Sequence, residues 1–261
     1  MSIKKSYFNE ITTAAYSMYA EEMSLKNGDC NYKATIFLLN SPSPAVYREM
    51  KEALHWKEYK YYHTFKYDKR KKSYLLSRYT AKKAFSAHIG ENNLKSILIQ
   101  PGVFTQPVAV YKYNRNTQVS ISHCDDFGAA LAFSEAAPMG IDIEMVDGEK
   151  NEVIKTQLTN SEKALLKSYY PYETMLTCLW TIKEGLSKVL KTGLTVPLNI
   201  LEIQRLVTDS NCIISYFKNF GQYKAISFAL GKYICSVVYP LQTEISLDIK
   251  AMKRAFDLPP V

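Results

Sequence analysis

Between Met139 and Met145, the residues Met139, Ile141, Ile143 and Met145 alternate with Gly140, Asp142 and Glu144. A period of two is the pattern of a β-strand with one apolar face. Such a strand must lie against a core, and it carries Asp142 and Glu144 together on its other face, about 6 to 7 Å apart along the chain. Two carboxylates at that spacing repel and raise each other's pKa unless a cation lies between them. A hard divalent ion with oxygen ligands, most simply Mg2+, meets that demand; a solvated strand face bearing two charges fits the same residues.

A second periodicity narrows the choice. From Met175 to Leu190 the residues Leu176, Leu179, Ile182, Leu186, Val189 and Leu190 recur at three- and four-residue spacing, the mark of a helix with one packed face. Glu184 and Lys188 form an i, i+4 pair outside that stripe, with Lys183 beside them. By itself this is an ordinary helix ion pair worth about 0.2 to 0.5 kcal/mol.

Gly140-Ile141-Asp142-Ile143-Glu144 followed by Trp180-Thr181-Ile182-Lys183-Glu184-Gly185-Leu186-Ser187-Lys188 resembles the signature pair of 4'-phosphopantetheinyl transferases of the surfactin-synthetase-activating type. Ser120-Ile121-Ser122-His123 is similar to that family's strand ending in Ser-His, and Leu158-Thr159-Asn160-Ser161-Glu162 to its F-[ST]-x-x-E element, with Leu for Phe. Lys191 to Leu198 resembles the turn after the family's long helix, and Ser73 to Lys82 resembles its f-L-x-G-R-x-x-A-[KR] helix. The resemblance spans roughly Lys51 to Pro240 and keeps the family's order.

The resemblance implies an α+β fold of two similar halves packed as a pseudo-dimer with the active site in the cleft between them. The expected organisation is 1–117 as an N-terminal half with the basic coenzyme-binding segment, 118–240 as a C-terminal half with the metal and catalytic motifs, and 241–261 as a tail. It implies transfer of 4'-phosphopantetheine from coenzyme A to a serine of an acyl or peptidyl carrier protein, releasing adenosine 3',5'-bisphosphate (holo-[acyl-carrier-protein] synthase, EC 2.7.8.7). Asp142, Glu144 and Glu184 would hold Mg2+, with Mn2+ as the alternative ion. Glu162 would act as general base, with Glu184 as the open alternative, while Lys188 and Lys183 would neutralise the phosphates or protonate the leaving group. Glu162 also reads as the N3 acid of a capping box begun by Thr159.

Coenzyme contacts are expected at Lys57, Lys60, Arg78, Gln106, Pro107, Ser122, His123, Asp142, Lys183 and Lys188. At Thr105-Gln106-Pro107 the family has Gly-Lys-Pro, so one phosphate contact is missing or comes from another cation such as Lys112 or Arg115. Arg78 also reads as a structural tie between helices, and His123 as a satisfied core histidine.

The 261 residues carry a net charge of +8, and twelve Lys/Arg against four acids lie between Arg48 and Lys83, so the whole excess sits in one segment. Trp56, Tyr59, Tyr61, Tyr62, Phe65 and Tyr67 are interleaved with it. That composition suits a solvated helical face, a nucleic-acid patch or the phosphates and adenine of coenzyme A. A nucleic-acid reading gives the three carboxylates no role, since they repel phosphate unless metal-bound. A non-catalytic relative binding coenzyme A or nucleic acid is the alternative function. No nucleic acid, no membrane and a monomer are expected, with an acidic carrier protein as partner.

Five cysteines are scattered without a C-x-x-C, which argues against zinc and a disulfide framework. Cys124 beside His123 reads as a buried thiol in preference to a nucleophile. The N-terminus shows no apolar run, so a cytoplasmic protein is expected. Along the chain, 1–30 reads as helix-prone and 33–39 as the first strand. Helices are expected over 48–67, 72–87, 153–167 and 172–191. Strands are expected over 96–100, 108–113, three within 119–145, and four from 201 to 239. Tyr169, Tyr170 and Tyr172 around Pro171 read as a carrier-facing surface or as cover for the core edge.

Overall fold

The computed structural model describes residues 11–12, 16–41, 43, 46–113, 116–166, 170–209 and 211–256. A short strand β1 (Ile11–Thr12) precedes two long antiparallel strands, β2 (Ser17–Asn27) and β3 (Cys30–Asn40). The helix-prone reading of 1–30 therefore fails at 17–27. Tyr19, Met23 and Leu25 are fully buried and β2 pairs with β3 along its whole length, so tertiary packing overrides a weak local propensity.

Three helices follow: α1 (Tyr47–Glu52), α2 (Trp56–Tyr62) and α3 (Asp68–Ile89). The single helix expected over 48–67 is two, because His55 starts a new one. Its ring accepts from Lys57 N while Glu58 accepts from His55 N, a reciprocal capping box.

A small hairpin, β4 (Leu98–Pro101) with β5 (Pro107–Val110), leads to β6 (Thr117–Cys124) and β7 (Phe127–Ser134). These last two join the first sheet, whose order is β1-β2-β3-β7-β6. The expected boundary at 117/118 moves accordingly. β7 pairs with β3 from Ala34 opposite Phe133 to Asn40 opposite Phe127, and the chain first enters the second sheet at β8 (Gly140–Met145).

After β8 come α4 (Asn151–Thr156), α5 (Asn160–Leu165) and α6 (Tyr172–Val189). Strands β9 (Ile203–Thr208), β10 (Ile213–Phe217), β11 (Tyr223–Leu230) and β12 (Tyr233–Pro240) complete a second antiparallel sheet in the order β8-β12-β11-β10-β9. The segment expected as a tail is integral to the fold. β13 (Glu244–Ile245) pairs with β2, and α7 (Ile249–Phe256) buries Ile249, Ala251, Met252, Ala255 and Phe256.

Alternation along the strands builds four layers. Ile36 and Leu38 of β3, with Leu131 and Phe133 of β7, face Ile141 and Ile143 of β8 and Cys235 and Val237 of β12 in a core between the two sheets. Phe37 and Leu39 face the other way, toward Leu75, Leu76, Tyr79 and Phe85 of α3. Ile234 and Val238 of β12 pack on Leu179, Ile182 and Leu186 of α6. Strands covered on both faces read as continuous apolar runs, and the result is a mixed α+β protein of two sheet-rich halves.

Candidate functional site

The site forms where α6 crosses β8. A Cβ at Gly140 would lie 2.1 Å from the backbone oxygen of Gly185, and one at Gly185 would lie 2.9 Å from Val238 Cγ2. Two glycines thus let the helix approach the strand more closely than any side chain permits. The approach carries Lys188 onto β8, where its Nζ donates to Asp142 Oδ1 at 2.7 Å and to the carbonyl of Ile141 at 2.9 Å.

Asp142 is buried, and its Oδ1 also accepts from Ser122 Oγ at 2.7 Å. Its Oδ2 is buried with no hydrogen-bond partner, an arrangement that costs about 1 to 3 kcal/mol if left unmet. Glu184 has its carboxyl pushed up to about 7, by burial first and then by the charges of Asp142 and Glu144, against the lowering effect of Lys188. Glu144 is held by Lys150 at 3.1 Å.

The structure therefore brings the three carboxylates of β8 and α6 into one electrostatic neighbourhood. Among the described residues, no three His, Cys, Asp or Glu side chains converge on one ion position, because ammonium groups hold Asp142 and Glu144. The donor set still fits a hard divalent cation. It is all oxygen, it includes an unpaired buried carboxylate oxygen, and Glu184 is kept from ionising by burial and by the neighbouring charges of Asp142 and Glu144.

β6 delivers the next shell. Strands β6 and β8 come from different halves and lie side by side without a ladder. Ser120 Oγ accepts from Ile141 N at 3.1 Å, and Ser122 reaches Asp142. His123 hydrogen-bonds Ser73 of α3 through Nε2. Its imidazole, though its ring keeps an exposed edge, is held below the usual range by desolvation among its neighbours and by the charges of Lys188 and Arg78, which outweigh Asp142. Arg78 stacks on Tyr74 at 4.6 Å and keeps a buried, unpartnered Nε.

Glu162 and Lys183 lie elsewhere. Lys183 Nζ is fully buried and donates to Glu162 Oε2 at 2.8 Å, the Leu198 carbonyl at 2.9 Å and the Gln157 carbonyl at 3.2 Å. Glu162 also accepts from Thr159 N at 2.8 Å and Ile203 N at 2.9 Å. Both groups are saturated by the fold, which places neither a free base nor a phosphate-facing cation at these positions. Lys183, expected as a coenzyme contact, and Glu162, expected as base, are joined here in a buried tie.

A cleft of about 240 Å³ opens beside Lys188, lined by Gln106, Pro107, Ser120, Ile121, Met139 and Lys191 among others. It gathers Gln106, Pro107 and Lys188 from the expected coenzyme contacts. Lys57 and Lys60 are not in its lining. Both stand over the exposed ring of Trp56, at 5.5 and 5.0 Å, and Lys60 joins Arg48, Lys51 and Lys95 around a separate groove. Lys112 is exposed over Tyr113, while Arg115 and Tyr169 lie outside the described residues. Tyr170 and Tyr172 are exposed.

Cys124 is buried, and that burial with the nearby Glu144 raises its thiol to about 11, so it stays protonated and no nucleophile. Lys150, Ser73 and the glycine contact were not visible in the sequence. Each works through a partner remote in the chain or, for Lys150, through a loop geometry that no period encodes.

Among the described residues, no helix is long and apolar enough to cross a membrane. No curated protein gives a significant match to the chain. The segment that carries Asp142, Glu144, Glu184 and Lys188 is the one with a family likeness: residues 138–238 match the family model of the 4'-phosphopantetheinyl transferase superfamily.

Proposed function

We propose that the chain transfers 4'-phosphopantetheine from coenzyme A to a serine of an acyl or peptidyl carrier protein, as a surfactin-synthetase-activating type of transferase acting as a monomer in the cytoplasm. The observation that carries this reading is the junction of Asp142 with Lys188 and Glu184, with Asp142 Oδ2 left unpaired, inside the stretch that matches the superfamily. Transfer of phosphopantetheine in general follows from that match; coenzyme A as donor and a carrier serine as acceptor are our extension of it.

The serine oxygen attacks the β-phosphorus, the bond from that phosphorus to the bridging oxygen breaks, and adenosine 3',5'-bisphosphate leaves. Such chemistry asks the protein for positioning and for cations against developing phosphoryl charge. Asp142, Glu144 and Glu184 would hold Mg2+, which polarises the diphosphate when bound. Lys188 Nζ stands beside Asp142, where it neutralises phosphate and supplies a proton to the leaving oxygen. Glu184, on the open side of the Asp142–Lys188 pair, is the alternative to the hydrogen-bonded Glu162 for taking the serine proton. His123 and Arg78 are assigned to coenzyme phosphate, and Lys57 and Lys60 to the 3'-phosphate.

The test is incubation of the protein with coenzyme A, Mg2+ and a panel of apo-carrier proteins, with the products weighed. One carrier should gain the mass of a single phosphopantetheine. Coenzyme A binding with no gain on any carrier would instead make this a non-catalytic coenzyme-binding relative.

A further inference from the structure

We infer that Lys191 is a phosphate-contacting cation of the cleft, standing in for the charge that Gln106 does not provide. The ligand named here rests on the transferase reading above, whereas the residue assignment rests on three local observations.

The first is that Gln106 is spent on its own turn. Its backbone oxygen accepts from Gly102 N at 2.8 Å, and its Oε1 accepts from Phe104 N at 2.9 Å. Its side chain lies so close over Gly102 that a Cβ there would sit 2.5 Å from Nε2. That lip of the cleft presents no charge.

The second is the way α6 stops. Thr192 N returns to the Ser187 carbonyl at 3.0 Å, with Lys191 between them at φ 57. This is a helix-ending motif whose left-handed residue is ordinarily glycine, because a Cβ is disfavoured there. A lysine held at such a position is a strained choice, and strain of this kind is retained where a side chain has work to do.

The third is its surroundings. Lys191 lines the same cleft as Gln106, Pro107 and Lys188, and Glu135 is the one acid in that lining. Lys188 is already committed to Asp142, whereas no ion pair holds Lys191 among the described residues. It is the exposed, unpaired cation of this lining, open to an incoming anion alongside Lys188, and a half-enclosed cleft strengthens such an attraction relative to open water.

The test compares Lys191→Gly, Lys191→Gln and Lys191→Arg with the wild-type protein, using calorimetric titration of coenzyme A and of inorganic pyrophosphate at low and high salt, with thermal melting alongside. Lys191→Gly should melt no lower than wild type, since it relieves the left-handed backbone. It should nevertheless bind both ligands about tenfold more weakly, as expected for loss of one charged contact. Lys191→Gln should lose the same affinity without the gain in stability, and Lys191→Arg should bind as wild type. Wild-type affinity in Lys191→Gly would overturn the inference and leave the transferase reading intact. A wild-type protein that binds neither coenzyme A nor pyrophosphate would overturn both. Binding that weakens as expected, in a protein that transfers nothing, would uphold Lys191 and sink the reaction.

Discussion

Lys183 Nζ lies 2.8 Å from Glu162 Oε2 with both side chains fully buried, and Lys82 meets Glu58 in the same way in the other half of the chain. Each glutamate closes a capping box, onto Thr159 N or His55 N. Each also accepts from a strand amide forty-one residues on, Ile203 N or Ile99 N. Each lysine then donates to a backbone carbonyl besides its glutamate. The two halves are built around one tie used twice, in a chain where no repeat is visible by eye.

Breaking either tie should unfold the protein early. Removing one partner of a buried pair leaves an uncompensated charge and costs about 3 to 5 kcal/mol, or roughly a 10 °C loss in melting temperature for a chain of this size. Glu58→Gln and Glu162→Gln should therefore show losses of similar size in thermal denaturation. A Glu162→Gln protein that melts normally but has lost turnover would restore Glu162 as the base.

Asp142→Ala and Glu184→Ala should abolish transfer; Glu184→Ala should keep its melting temperature because it removes an anion that its neighbours repel, whereas Asp142→Ala strands Lys188 and Ser122 and should melt lower while still folding. The loss of transfer should exceed the 10- to 100-fold typical of residues that merely support a metal ligand. Activity should vanish with EDTA and return with Mg2+. Near-normal turnover of either variant in excess EDTA would remove the metal from this site.

The glycine contact ranks two further variants. Gly140→Ala drives a methyl group into the rigid backbone at Gly185, whereas Gly185→Ala meets the movable Val238 side chain. Overpacking costs about 1 to 3 kcal/mol, so Gly140→Ala should sit at the upper end and Gly185→Ala at the lower. Both should slow transfer by lifting Lys188 from Asp142. A Gly140→Ala protein with unchanged melting and turnover would show that α6 does not need this approach.

His88, near the end of α3, contacts Thr35 Oγ1 at 3.3 Å and is held below its usual range by burial, with Lys33 adding to the effect and Glu22 opposing it. A histidine depressed in the folded state binds its proton more readily when unfolded. Its contribution is thus present above the unfolded value of about 6.5 and lost as pH falls through the folded one. Wild type should lose melting temperature between pH 7 and pH 5 more steeply than His88→Gln. Parallel curves would place the acid sensitivity elsewhere.

What the sequence settled was local. The period of two over 139–145 and the three- and four-residue stripe over 175–190 reappear as β8 and α6, because each period is written by neighbours within one element. The capping box at Thr159 and Glu162 was legible for the same reason. Long-range pairing was not. Strand β2 hid behind helix-prone residues, the hairpin 117–134 went to the first sheet, and the segment after Pro240 closed the core between the sheets. The site shows the same division. Asp142 and Glu184 could be named from their spacing, but their meeting depends on two glycines in different elements letting backbone touch backbone. Lys183 and Lys188 sit five residues apart on one helix, yet only the packing around them sends one into a sealed tie and the other onto Asp142. Residue type fixes what a side chain can do chemically; which partner it finds is set by the burial of surfaces that are distant in the chain.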